Sequence, residues 1–192
     1  MGRVKVTGGA LRGRQIRVPE GSRPSSSRVR EALFSIWGER IAGCRFLDLF
    51  AGSGAVGIEA LSRGAELAVL VEGSGRRFRG LAANLSDLDL RRCEARRLDL
   101  PRELTKLSSE YRESFDLIFA DPPYAFSALE RLLDGCEELL AQGGELAIEH
   151  SRRVSTPAES GGLARVDQRS YGESSMSFYR WHAIPGAEGA SC

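Results

Sequence analysis

The sequence predicts an α/β protein built on a doubly wound, mostly parallel sheet, and three observations carry that reading. Between residues 44 and 150, short apolar runs alternate with segments of helical periodicity. A glycine-rich bend sits between the first of these runs and the helix after it. Near the C-terminus the rhythm changes to two extended runs flanking Gly172-Glu173, the pattern of an antiparallel hairpin.

The elements follow in order. Val4-Lys5-Val6 and Gln15-Ile16-Arg17-Val18 read as two short strands joined by Gly8–Gly13, a small hairpin platform. Pro24 and Ser25-Ser26-Ser27 read as a loop ending in a helix cap. From Arg28 to about Ile41, Val29, Leu33, Ile36 and Trp37 recur at helical spacing, so Trp37 belongs in the core. Strands are predicted at 45–50, 67–72, 93–98 (the weakest), 115–120 and 145–149, with helices at 54–63, 76–88 and 127–141. The hairpin strands are 163–171 and 175–183, and the tail after Pro185 should fray. Three regions result: a basic arm at 1–26, one domain at 27–184 and the tail at 185–192.

Composition narrows the class. With 192 residues, 42% hydrophobic and 28% charged, the chain suits one globular domain. No apolar run approaches the ~18 residues of a membrane helix, and no secretory leader is visible, so a cytoplasmic location is expected. Cys44, Cys93, Cys136 and Cys192 lack metal-knuckle or redox spacing and are expected to be reduced thiols. His150 and His182 have no ligand partners at useful spacing, so no metal is expected. The net charge of +1 hides an asymmetry. Residues 1–30 hold eight Arg or Lys against the single acid Glu20, and a basic arm on a mildly acidic body points to a polyanion partner.

The first strand runs into Asp48-Leu49-Phe50-Ala51-Gly52-Ser53-Gly54-Ala55-Val56-Gly57. Gly52, Gly54 and Gly57 let the backbone turn tightly and approach a ligand. Alone, that pattern would also suit a nicotinamide dinucleotide. Asp48 argues otherwise, because a carboxylate gains nothing from a pyrophosphate but attracts a cation. S-adenosylmethionine carries a sulfonium and an ammonium, and so fits better. Phe50 and Ser53 line the same bend. Glu72, at the end of the second strand, is placed to accept ribose hydroxyls, and Asp99, after the third, to accept the adenine amino group. The competing role for Asp48 is a strand-end acid held by a nearby amide or basic side chain.

The fourth strand ends in Asp121-Pro122-Pro123-Tyr124. Tandem prolines fix the backbone and remove two amide donors. What remains is rich in acceptors and carries an aromatic ring, at the sheet edge where open α/β folds bind ligands. A planar amino group on a base suits such a cluster. Two acceptors gripping its hydrogens localise the nitrogen lone pair, and Tyr124 can stack on the ring.

The two motifs together resemble the amino-methyltransferases. Three further segments, Gly8–Arg14, Arg23–Phe34 and Tyr171–Tyr179, narrow the resemblance to the bacterial 16S ribosomal RNA guanine-N2-methyltransferases of the D type, over about residues 3–182. That resemblance implies a Rossmann-like, seven-stranded sheet with a C-terminal antiparallel hairpin. It implies S-adenosyl-L-methionine as cofactor, the guanine N2 amine as target, and 16S ribosomal RNA in a small-subunit assembly particle as partner. A monomer is expected, with no membrane contact. Asp121 and Tyr124 would handle the guanine. Gly52, Gly54 and Glu72 would hold the cofactor, and Arg12, Arg14, Arg28 and Arg30 would lie near the RNA. The sequence departs from the family pattern at Ser27, where an acid is frequent, and at the glycine-rich Gly73-Ser74-Gly75. The alternatives are the same chemistry on DNA adenine N6 or a protein glutamine, a nicotinamide-dependent oxidoreductase, and a non-catalytic RNA-binding assembly factor.

Overall fold

A computed structural model describes residues 2–19, 27–123 and 126–182. The residues Arg23 to Ser26, Tyr124 and the 185–192 tail therefore lie outside the described residues.

Strands β1 (Gly2–Lys5) and β2 (Gln15–Val18) form the small antiparallel hairpin. Helix α1 (Ser27–Trp37) follows and gives way to a 3-10 turn over Gly38–Ile41. The expected helix to Ile41 is thus split where Gly38, a poor helix former, enters the chain. Then come β3 (Arg45–Leu49), α2 (Ala55–Ser62), β4 (Leu67–Val71), α3 (Gly75–Asp87) and β5 (Cys93–Arg96). They are followed by α4 (Thr105–Tyr111), β6 (Phe115–Ala120), α5 (Leu129–Glu137), β7 (Leu140–Ser151), β8 (Glu159–Ser160), β9 (Leu163–Tyr171) and β10 (Ser174–Trp181). Helix α4 escaped the sequence reading because it buries only Leu107 and Tyr111, too few to show a period. Strand β7 begins earlier than expected: Leu140 pairs with Phe115, then the register slips so that Leu117 faces Glu145.

The main sheet has eight strands in the order β5-β4-β3-β6-β7-β10-β9-β8. The first five are parallel; β10, β9 and β8 are joined antiparallel. This is the expected seven-stranded arrangement with the two-residue β8 added at one edge. The tight turn at Gly172-Glu173 joins β9 to β10 as predicted.

Side chains alternate across the sheet, and each face has its own core. Leu47, Leu49, Val69, Val71, Ile118 and Ala120 point toward α4 and α5. Phe46, Ala68, Leu70, Leu117 and Phe119 point toward α1, α2 and α3, where Trp37 is buried against Phe46 at 5.7 Å. Period-two alternation then puts Asp48 on the second face, in line with Phe46. Glu72 continues the row Ala68–Leu70, and Asp121 the row Leu117–Phe119.

Candidate active site

Sheet order reverses at β3. The strand after it in sequence, β4, lies on one side, and β6 lies on the other. Ligands of open α/β sheets sit above the carboxyl ends of the strands at such a point. Both sequence motifs are there. The glycine bend follows β3 and the proline turn follows β6, and the Asp121 amide still donates to the Leu49 carbonyl at 3.3 Å. The two motifs are neighbours on one edge.

The bend is tightly determined. Phe50 adopts φ 65°, a costly conformation for a bulky residue. Its ring meets Phe126 edge-on at 5.3 Å. The Ala51 amide donates to the Val71 carbonyl at 2.8 Å, and the Gly54 amide to Ala51 at 2.8 Å. Gly52 and Gly54 both have positive φ, at 58° and 82°. They differ in their surroundings. A Cβ on Gly54 would strike Leu81 at 2.5 Å, whereas one on Gly52 would meet nothing nearer than 3.9 Å. Gly54 is there for packing, and Gly52 faces a space that protein atoms do not fill.

Two carboxyl groups flank that space and a third lies beneath it. Strand register places Glu72 and Asp121 on either side of position 50, with Asp48 one pleat below. Asp48 is 1% exposed, and its Oδ2 accepts from the Gly57 amide at 2.9 Å, inside the first turn of α2. Burial pushes its carboxyl up from the ordinary 3.8 to about 8; the Gly57 hydrogen bond opposes the rise, and the charges of Asp121 and Glu72 add to it. Glu72 is also buried. It accepts from the Gly52 amide at 3.0 Å and the Ser74 amide at 2.7 Å, and Arg77 sits 3.0 Å from its Oε1. Asp48 thus lies under the bend rather than in open contact above it, held by a backbone amide. Glu72 ties the bend to β4.

The proline turn follows β6. Pro122 is buried, Asp121 is half-buried and Pro123 is exposed. The Pro123 carbonyl accepts from the Phe126 amide at 2.8 Å.

Asp99 stands on the outer rim. It is exposed, lies 3.6 Å from Arg102, and its amide donates to Glu103 at 2.8 Å. Its backbone nevertheless borders the bend's neighbour. A Cβ on Gly73 would come within 3.0 Å of the Leu98 carbonyl. The glycine-rich stretch after Glu72 therefore lets the loops after β4 and β5 pack against each other.

The basic arm divides into two kinds of arginine. Arg12, Arg14 and Arg28 are exposed. Arg30 is not; it corrects the expectation of an RNA contact. It is 3% exposed, its Nε donates to Glu59 at 2.9 Å, and a terminal nitrogen donates to the Lys5 carbonyl at 2.8 Å. Glu59, fully buried in α2, also binds Arg63 at 2.8 Å and accepts from the Thr7 hydroxyl. The Arg12 turn docks on the far end of α2, through Ala10 to Ser62 O (2.7 Å) and Leu11 to Ser62 Oγ (2.8 Å). That is roughly 12 Å, one length of α2, from the glycine bend.

Two residues that organise the site went unnoticed in the sequence. One is Glu59, the lone charge in the apolar helix Ala55–Ser62, itself a signal of a buried ion pair. The other is Asn84. Its amide accepts from the Arg17 amide (3.1 Å) and donates to the Arg17 carbonyl and the Ser53 carbonyl (both 2.9 Å). It braces the arm to the bend. An asparagine inside a helix is disfavoured locally, which was the available hint. His150 is buried between Ser177 Oγ (2.9 Å) and Ser151 O (3.0 Å).

The family model "Conserved hypothetical protein 95" matches residues 4–180. The protein YlbH of Bacillus subtilis is 34% identical over 182 residues, covering 92% of this chain and 98% of that one. The ribosomal RNA small subunit methyltransferase D of Escherichia coli is 35% identical over 162 residues, covering 83% and 78%. The solved structure of Escherichia coli yhhF superposes with a TM-score of 0.83 at 30% identity, over 95% of this chain and all of that one. The fold, the paired motifs and these matches agree: the chain belongs to the Conserved hypothetical protein 95 family, together with the ribosomal RNA small subunit methyltransferases D.

Proposed function

We propose that the chain transfers a methyl group from S-adenosylmethionine to the exocyclic N2 amine of a guanine in 16S ribosomal RNA, within an assembling small-subunit particle. The observation that carries this reading is the juxtaposition of an acid-flanked glycine bend with an acceptor-rich proline turn on adjacent strand ends. The names of the relatives support the RNA class and leave the nucleotide to experiment.

The residues present fit the cofactor. The space over Gly52 is a cradle that a side chain would fill, and Glu72 and Asp121 on either side of it favour a cation and oppose a pyrophosphate. Gly52, Ser53, Gly54 and Phe50 would line it. Glu72 would accept ribose hydroxyls in acceptor directions left by its three present donors, and Asp99 would border the adenine. When bound, the cofactor supplies an already activated methyl.

The protein's own task is alignment. Asp121 and the Pro122 carbonyl accept the amine's two hydrogens, which localises the nitrogen lone pair and aims it toward the bend. Tyr124 stacks on the base. Held so, the nitrogen would face the methyl that the cofactor supplies, and the Asp121 carboxylate or water would take up the proton the amine gives up on methylation. Holding the partners in line supplies most of the rate. Arg12, Arg14 and Arg28 contribute sequence-independent phosphate contacts.

The test is methylation of 30S-type particles and of naked 16S RNA, followed by nucleoside mass analysis. N2-methylguanosine is expected in the particles. Asp121→Ala should lower kcat at least about a hundredfold with cofactor affinity retained. Full activity in that variant, or binding of NADH in place of S-adenosylmethionine, overturns the reading.

A further inference from the structure

A second cationic surface lies on the other side of the target turn from the glycine bend. In the β6–β7 pairing, Ala120 faces Ile148. The ladder ends there, and β7 runs on three residues to Ser151, at the same carboxyl edge of the sheet where β6 gives way to the proline turn. The turn Ser151-Arg152-Arg153-Val154 therefore stands on the site's edge. It is pinned by three hydrogen bonds: Val154 N–H to Ser151 O at 2.9 Å, Arg153 N–H to Ser151 Oγ at 3.3 Å, and Arg152 N–H to Glu173 O at 2.8 Å.

Between this turn and the start of α5 runs an open groove of about 730 Å³, lined among others by Phe126, Ser127, Arg131, Val154 and Ser155. Its inner end is continuous with the site, since Phe126 touches Phe50 and is bonded to Pro123. Its outer wall is stiff: the Thr156 hydroxyl is 2.9 Å from Ser177 Oγ, and Arg165 donates to the Thr156 carbonyl at 2.7 Å.

What distinguishes the charges here is their clustering beside a groove. Exposed Arg17, Arg102, Arg112 and Arg169 each lie within ion-pair distance of an acid, while exposed Arg79, Arg92 and Arg97 make no ion pair among the described residues but line no such groove. Arg131, Arg152 and Arg153 are exposed and make no ion pair among the described residues. Among the described residues, Glu130 is the one acid lining the groove. Three unpaired guanidiniums on a pinned turn and a helix end match a polyanion.

We infer that this groove holds the ribose-phosphate backbone of the RNA strand flanking the target base, with Arg131, Arg152 and Arg153 on its phosphates. The inference rests on the RNA methyltransferase reading. It places the target nucleotide between two cationic surfaces, the arm and this groove, so that the strand enters the site from a defined side.

The experiment is charge reversal in Arg131→Glu/Arg152→Glu/Arg153→Glu, with Arg112→Glu at the opposite end of β6 as control. The KM for the RNA substrate is read across a salt series, and S-adenosylmethionine affinity is read by calorimetry. The triple variant should raise KM at least about tenfold and make the log–log salt slope shallower by about two to three. Cofactor affinity and Tm should stay at wild-type values, and Arg112→Glu should change neither KM nor slope. Should the triple variant fold poorly, Arg152→Gln/Arg153→Gln gives the same readout at about two-thirds of the slope change. Unchanged KM and slope in a variant of an RNA-methylating wild type overturn the groove alone. A wild type that methylates no RNA overturns both readings.

Discussion

Asp48 and Glu59 belong to one βα unit, and both carboxylates are shut away from solvent, at 1% and 0% exposure. Their surroundings are opposite. Glu59 is met by Arg30, Arg63 and the Thr7 hydroxyl, so its charge is matched where it lies. Asp48 receives the Gly57 amide and has two further acids for neighbours. The first arrangement is complete and joins α1, α2 and the arm. The second is met by a proton instead of a counter-charge, and a cationic ligand above the glycine bend would favour the ionised carboxylate. Burial of a charge therefore does not by itself distinguish a staple from a binding site; the sign and number of the partners do.

The largest effect that could break this contrast is expected at Glu59. Glu59→Ala leaves Arg30 buried without its partner and should cost about 3–5 kcal/mol in chemical denaturation. S-adenosylmethionine affinity of the folded fraction should be close to wild type. Equal loss of affinity would mean that the two acids act as one unit.

Asn84→Ala comes next. It removes the amide that bonds Arg17 and Ser53, and should cost about 1–3 kcal/mol. Because Ser53 belongs to the bend, KM for the cofactor should rise in this variant and not in Glu59→Ala. Hydrogen exchange at the bend, read by mass spectrometry, should speed up alongside.

The third effect is a pH dependence. The Asp48 value in the folded chain is about 8, above its ordinary 3.8. Over that window the folded chain holds a proton that the unfolded chain has released, so stability falls as pH rises from about 4 to about 8. Asp48→Asn keeps the acceptor for Gly57 and removes the titration. Its stability should match wild type near pH 4 and exceed it increasingly up to pH 8, by denaturation at several pH values. Parallel curves for the two proteins would show that Asp48 is ionised in the folded state.

Much of the molecule was readable in one dimension. The alternation of Phe46, Leu47, Asp48 and Leu49, and the matching rows ending in Glu72 and Asp121, already assign each acid to a face. The strand–glycine–helix order and the tandem prolines set both motifs at strand ends. Such features are periodic or local, and a few adjacent residues settle them. The arginines of the arm show where this stops. Arg28 and Arg30 are near neighbours of equal charge in one helix start; one faces solvent and the other is sealed against Glu59, 29 residues away. Likewise, no spacing in the sequence relates Asn84 to Ser53, or Arg152 to Glu173. Composition and period thus determined the sheet, its faces and the two motifs. The tertiary structure decided which charges are matched, because pairing energy depends on distance and burial between residues that only folding brings together.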